Sequence, residues 1–313
     1  MTQKTQFLAD EDIINQLPLF YQPKWLNIVC GNNWDVVLSR DVNKKIVGIF
    51  VFILEQKGPL VLLRTPKLTP YFGLYLLPNT LTNKQLLDWE EQHINTLIQQ
   101  LPKFSFCEFC TAPTHTNFIN LQFLGFTQKA FLTYYINLQI DEKELFENIS
   151  TRTKRYIKNN VNFIVKLGID SLKDVTDLHK QTFKKQGIKY PYNSLLINQL
   201  IENGNNQHYG KLHTLYNINN ELVAFLWVAY DATTMYQILS SYNSNLAGQE
   251  AMAILTWNAI KDAKKMNLMH YDFEGSVIKG IEHFFRKFGG DRKIYFNFEK
   301  NNSMLWRLKK LVY

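Results

Sequence analysis

The sequence predicts an α/β fold assembled twice in tandem, with mixed, mostly antiparallel sheets flanked by helices. Three observations predict it. The 313 residues exceed what one hydrophobic core usually serves, so about two domains are expected. Segments of strand period and helix period alternate along the whole chain. The chain also matches itself at a shift of 164 residues, which is the mark of an internal duplication.

Periodicity in the first half predicts a helix at 10–17, strands at 36–39, 46–54 and 60–63, and a long helix at 84–101. A strand FSFCEF, a short helix at 118–124 closed by Gly125, and a strand at 130–138 follow. The second half repeats the order, with strands at 211–216, 222–230 and 234–241 and a helix at 250–266, then a strand at 269–273, a helix at 278–288 and a strand at 293–298. Shifted by 164, CEF at 107–109 falls on YDF at 271–273, Gly125 falls on Gly289, and TQKAFLTY falls on DRKIYFNF. Upstream, VNKKIVGIFVF at 42–52 matches INNELVAFLWV at 218–228 with a shift of 176, so one copy carries extra residues between hairpin and helix. The expected division is residues 1–140 and 141–313.

The stretch HYDFEGSVIKGIEHFFRKFGG shows what packing accounts for and what it leaves over. Phe284, Phe285 and Phe288 are a helix face packed on a sheet, Arg286 and Lys287 suit the last turn, and Gly289 and Gly290 are a left-handed C-cap. Packing does not explain Asp272 in an apolar strand or the EGS corner behind it. An acid at a strand end facing a crevice is where α/β folds place ligands.

Composition limits the function classes. Apolar residues make up 46%, yet the run IVGIFVFIL is far shorter than the roughly 20 residues of a membrane span. The start MTQKTQFLADEDI is polar and acidic, unlike a secretory signal, so a cytoplasmic location is the default expectation. Three cysteines, Cys30, Cys107 and Cys110, suit neither a disulfide framework nor a zinc site, and the CxxC lies in a strand, as buried structural thiols rather than a redox pair. Net charge is +8, and Arg152, Lys154, Arg155, Lys158 and Lys166 cluster in 151–166 without an acid, while 279–310 holds nine basic and three acidic residues. Such a field favours an anionic partner, whether phosphorylated cofactor, glycan precursor or RNA; solvated helix faces are the alternative. There is no GxxxxGK[ST] loop, GxSxG elbow, HExxH or Rossmann glycine triplet. The 14% aromatic content falls mostly at core periodicity rather than as a base-stacking surface.

The stretch from NNELVAFLWV to FFRKFGG at 219–290, with its hairpin, its Trp257 helix, its DF-x-G strand end, then G-I-x-x-F and F-G, resembles the GNAT acyltransferase fold. The basic FENISTRTKRYIKNN at 146–160 is similar to the helix that opens the second unit in the two-unit BioF-like acetyltransferase and Fem aminoacyltransferase group, which the whole chain resembles. The resemblance implies two tandem GNAT-like units, acyl-CoA (acetyl-CoA) as donor without a metal, and an amine acceptor such as an amino sugar of a cell-envelope precursor. It implies donor contacts at Ser240, Ser241, Gly248 and Gln249 in the second unit, and an anionic portion of donor or acceptor at Arg152, Lys154, Arg155 and Lys158. Two departures are visible. The pyrophosphate loop reads SNLAGQEA, with Glu250 in the first helical turn, and Phe285 stands where Fem-type enzymes place a lysine. The alternative is a Fem-type transferase taking an amino acid from charged tRNA to a peptidoglycan precursor. A third is a duplicated fold that binds without catalysing.

Acyl transfer to an amine needs a proton acceptor, a task for Asp, Glu or His. Asp272, Glu274 and His270 are the candidates near the strand end, and Tyr242 is a candidate for returning a proton to sulfur. Each has a structural alternative: Asp272 bonding the corner's N–H groups, with Glu108 as its counterpart in the first copy, Glu274 as a first-turn helix acid, and His270 and His283 as satisfied polar groups. The strand at 234–241 would offer backbone donors to the donor amides and the developing oxyanion.

Overall fold

The computed structural model describes residues 1–117 and 119–307; position 118 of the expected short helix and positions 308–310 of the basic stretch lie outside the described residues. Contacts group into two compact units, one of 1–131 with the described residues from 294 on, the other of 132–293. No described helix is long and apolar enough to cross a membrane.

In the first half the elements are α1 (Gln3–Leu8), α2 (Glu11–Gln16), α3 (Pro23–Val29), β1 (Asp35–Arg40), β2 (Ile46–Phe52), β3 (Leu54–Lys57), β4 (Leu60–Leu63), β5 (Leu74–Leu76), α4 (Asn83–Gln100), β6 (Phe106–Cys110), α5 (Ile119–Phe123) and β7 (Thr127–Asn137). In the second they are α6 (Glu142–Glu147), α7 (Thr151–Lys158), β8 (Phe163–Leu167), α8 (Leu172–Lys185), α9 (Ser194–Asn206), β9 (Gly210–Asn217), β10 (Leu222–Tyr230), β11 (Thr234–Tyr242), α10 (Gln249–Lys265), β12 (His270–Asp272), α11 (Lys279–Phe285) and β13 (Asp291–Asn301). The order β1, β2, β5, α4, β6, α5 recurs as β9, β10, β11, α10, β12, α11. The 12 extra residues implied by the two shifts (176 − 164) correspond to the β3–β4 hairpin, which stands between β2 and α4.

The first unit holds the sheet β1-β2-β5 and a second group in which β6 lies parallel to β4 and antiparallel to the Asn297–Asn301 end of β13. The second unit's sheet runs β8-β9-β10-β11-β12, continued by the Tyr135–Asn137 end of β7 antiparallel to β12. Each unit is therefore completed by a strand that sequence order assigns to the other half, and the compact units do not divide at 140. The reason is register: Tyr271 pairs with Ile136, and Phe298 with Phe109, so burial of those apolar pairs draws each strand to its sheet.

Helix α10 explains the solidity of the second core. Ala251, Ala253, Ala259 and Ala263 keep it close to the sheet, while Ile254, Leu255 and Ile260 fill the space between. The helix expected at 278–288 is α11 followed by a 3-10 turn at Arg286–Phe288. Gly289 caps it with φ 76°, and a Cβ there would meet the Asn148 carbonyl oxygen at 2.5 Å. Gly290 does not share the left-handed backbone expected of both glycines; its constraint is space, since a Cβ would lie 2.9 Å from the Tyr135 carbonyl oxygen.

Two histidines are buried in this unit. His213 on β9 lies with Nε2 3.7 Å from Asp262 on α10, and burial pushes its imidazole down to about 4. Burial pushes His179 on α8 down to about 4 as well. In the unfolded chain both titrate near the ordinary value of about 6.5. As pH falls the unfolded chain takes up protons first, so the stability present above about 6.5 is lost progressively toward 4. Thermal melts should show Tm falling from pH 7 to pH 4, with a shallower slope in His213→Asn; identical slopes for the variant and the native chain would contradict the assignment.

Candidate active site in the second unit

β11 and β12 run parallel, but their pairing ends at Tyr236 and Asp272. Beyond that level β11 keeps only its β10 partner, and it carries a bulge: Trp227 faces Leu239 and Val228 faces Gln237, leaving Ile238 unopposed. The two strands thus part where Asp272 ends one of them, which leaves a strand edge of backbone amides from Ile238 to Tyr242 on one side and the DFEG corner on the other.

Asp272 is fully buried. Its Oδ1 accepts the Thr133 hydroxyl at 2.5 Å and the Glu274 backbone N–H at 2.8 Å. These bonds turn the chain sharply. Glu274 takes φ 59° and Gly275 φ 72°, two successive left-handed residues. Only glycine fits the second position, because a Cβ would lie 2.0 Å from the Leu132 carbonyl oxygen. The turn aims the Glu274 side chain inward. That side chain is half-buried overall, while Oε1 is out of solvent's reach. Burial, then the neighbouring Asp272 carboxyl, raises the Glu274 pKa well above the usual carboxylate range. Asp272 therefore holds the corner, and Glu274 carries the perturbed titration; such perturbations cluster at functional sites.

Periodicity assigns no element to the segment 160–210, yet it supplies a wall of this site. Ser241 on β11 is tied to α8, by the Thr182 hydroxyl and by its own bond to the Leu178 carbonyl at 3.5 Å. Lys185 donates to Ser244 at 2.7 Å and Asn245 at 3.1 Å, fixing the end of α8 to the loop before α10. The chain then brings Tyr192 back onto His179, stacked at 5.7 Å and 14°. Tyr192's pKa is raised by burial and by the Glu274 charge, so the two side chains share one electrostatic environment. Sequence reasoning missed Tyr192; the aromatic spacing in KYPY was the available signal.

The expected donor contacts divide. Ser240 stands half-buried on the parted edge, whereas the Ser241 hydroxyl is occupied by α8. At the start of α10, the Gly248 N–H donates to Glu250 Oε1 at 2.7 Å, so the helix's own acid holds the amide expected to meet a pyrophosphate. Gln249 accepts from Lys287 at 3.4 Å. On α7, Lys154 pairs with Glu147 at 2.8 Å, Arg152 bonds the Tyr156 hydroxyl, and Lys158 lies over the Phe146 ring, while Arg155 is exposed. Among the described residues no three His, Cys, Asp or Glu side chains converge as a metal site requires.

Two candidates lie away from the corner. His270 sits at the paired end of β12, its ring 5.4 Å from Tyr135, and its buried Nδ1 has no hydrogen-bond partner among the described residues. His283 has Glu282 3.7 Å away. Tyr242 is four residues past Ile238, roughly 13 Å along the strand, with its ring against the core.

The first unit shows the same corner without the same chemistry. Glu108, at the position of Asp272, has Arg64 at 3.9 Å and accepts from Asn297 at 3.3 Å. Cys110 stands where the second unit has Glu274, and burial pushes its thiol up to about 11. Cys107, Cys110 and Cys30 are free thiols.

Comparison with known proteins agrees with this layout. A family model described as Acetyltransferase (GNAT) domain matches residues 145–286. No curated protein matches the sequence. Among solved structures, FemX aligns at TM-score 0.67 and 12% identity over 100% of this chain and 99% of that one. A tandem GNAT protein from the clavulanic acid biosynthesis pathway aligns at 0.52 and 8% over 92% and 98%. L-PGS from Bacillus licheniformis aligns at 0.50 and 12% over 89% and 88%. At such identities these structures share the fold. The match to a GNAT domain thus spans residues 145–286, just under half of the chain, and the fold of the chain is shared with these tandem structures.

Proposed function

We propose that the unit of 132–293 moves an acyl group from acyl-CoA to an amine, with Glu274 as the general base. The observation that carries this is the Glu274 carboxyl, raised in pKa and held on a left-handed corner where two parallel strands part. A thioester supplies a carbonyl that is already activated, so the protein's work is alignment and proton transfer. A carboxyl whose pKa is raised by burial is better matched to an ammonium than an ordinary glutamate is. Glu274 takes one ammonium proton, the freed nitrogen bonds to the thioester carbon, the C–S bond breaks, and the extra proton left on the nitrogen passes to the departing thiolate. The amides of β11 past Ile238 are the donors for the developing negative oxygen. An amino sugar of a surface polysaccharide or cell-envelope precursor is the acceptor the group resemblance favours. Asp272 acts as a positioning residue through its bond to the Glu274 N–H.

A second reading has its own observation. Because Glu250 already occupies the Gly248 amide, the site is poorly prepared for a pyrophosphate, which favours a Fem-type donor, aminoacyl-tRNA, meeting the basic face of α7. Ligand binding separates the two. Acetyl-CoA raises Tm under the first reading and RNA does not; the reverse supports the second.

Two substitutions sharpen this. Glu274→Gln should lower turnover about a hundredfold to ten-thousandfold with little change in Tm; turnover within a factor of about three of the native chain would remove Glu274 from proton transfer. Glu250→Gln should free the Gly248 amide and remove a repelling charge, so acetyl-CoA should bind several-fold more tightly by calorimetry. Weaker or unchanged binding would show that the phosphates dock elsewhere.

A further inference from the structure

The outer face of α8 carries side chains that the reaction above does not use. Asp177, Lys180, Gln181 and Lys184 lie three or four residues apart on it. The chain then folds back over this face through a fixed turn: Gly187 has φ 69°, its N–H reaches the Lys184 carbonyl at 3.1 Å, and the Ile188 N–H reaches the Phe183 carbonyl at 3.0 Å. Ile188 and Tyr190 thereby close the far side of an open groove of about 510 Å³.

The charge of the groove is unbalanced. Asp177 is shared between Lys173, its ion-pair partner one helical turn away, and the nearby Lys180, whereas Lys184 has no ion pair among the described residues, so three lysines stand against one acid. That excess of positive charge along one helix face favours a compact dianion over a neutral ligand. From the groove an aromatic wall leads inward. Tyr190 bonds His179 at 3.0 Å and packs against Tyr192 at 5.7 Å and 81°. Tyr192 in turn shares the environment of Glu274. Tyrosine rings offer the apolar C–H face of a sugar a flat surface and leave its hydroxyls free.

We propose that this groove binds the phosphate-bearing end of the acceptor, an amino sugar phosphate, with the sugar along Tyr190 and Tyr192 and the amine directed to Glu274. The direction of the amine rests on the reading of Glu274 as base; the phosphate selectivity of the groove does not.

Saturation-transfer NMR and calorimetry on the full chain, with D-glucosamine 6-phosphate, D-glucosamine and inorganic phosphate as probes, test it. The sugar phosphate should bind about tenfold or more tightly than either fragment, a margin typical of charge-assisted contacts. Lys180→Glu with Lys184→Glu should abolish that margin at unchanged Tm, and Tyr192→Ala should weaken the sugar phosphate without affecting inorganic phosphate. Equal binding of sugar and sugar phosphate, a margin that survives the double lysine variant, or no binding at all overturns the groove. If phosphate-dependent binding persists while no acyl group moves from acyl-CoA to any amine tried, the groove stands and the proposed reaction falls.

Discussion

The second unit turns on one buried carboxylate. Asp272 lies inside the sheet with the Thr133 hydroxyl and the Glu274 N–H on the same oxygen. Hydrogen bonds to a charged group contribute about 1.5–3 kcal/mol each, which offsets left-handed backbone at Glu274 and Gly275 that costs of order 1–3 kcal/mol per residue. Without that anchor the corner has no reason to keep its turn, and with it the next acid is driven out of water. The perturbed pKa of Glu274 is thus a consequence of chain geometry fixed two residues earlier.

The first unit shows what the same backbone plan becomes when the anchor changes. With Glu108 near Arg64 and Asn297, the corner's acid faces a cation and an amide, and a buried thiol stands in place of the second acid. Duplication supplied two frames. Side-chain divergence at two positions of the corner separates one that carries a raised carboxyl from one that carries a buried thiol.

Most of the frame was legible in the sequence because it depends on local periodicity: β10, β11, α10 and β12 appear close to where alternation and helical spacing place them. The shift of 164 also pointed to Asp272 and the EGS corner. The split of work between the two acids was not legible, since it depends on which carboxyl faces Thr133 and which lies beyond the turn. α8 and α9 escaped because their polar faces dilute the apolar pattern, and with them went Tyr192, whose place beside Glu274 is set by tertiary contact. Nor does self-similarity reveal which sheet a terminal strand joins. TQKAFLTY and DRKIYFNF match each other, and nothing local in either records that its apolar register fits the other half's core.

That crosswise completion bears on how the chain is made. The strand that lies against β6 comes from residues 297–301, so a ribosome has to deliver all of the second unit before the first sheet acquires its neighbour. Until then the Cys107–Phe109 stretch presents an unfinished apolar edge, the kind of surface that invites pairing with the wrong chain. Such late, long-range closure makes for slow folding, and a nascent chain halted before β13 would leave its earlier half unable to finish.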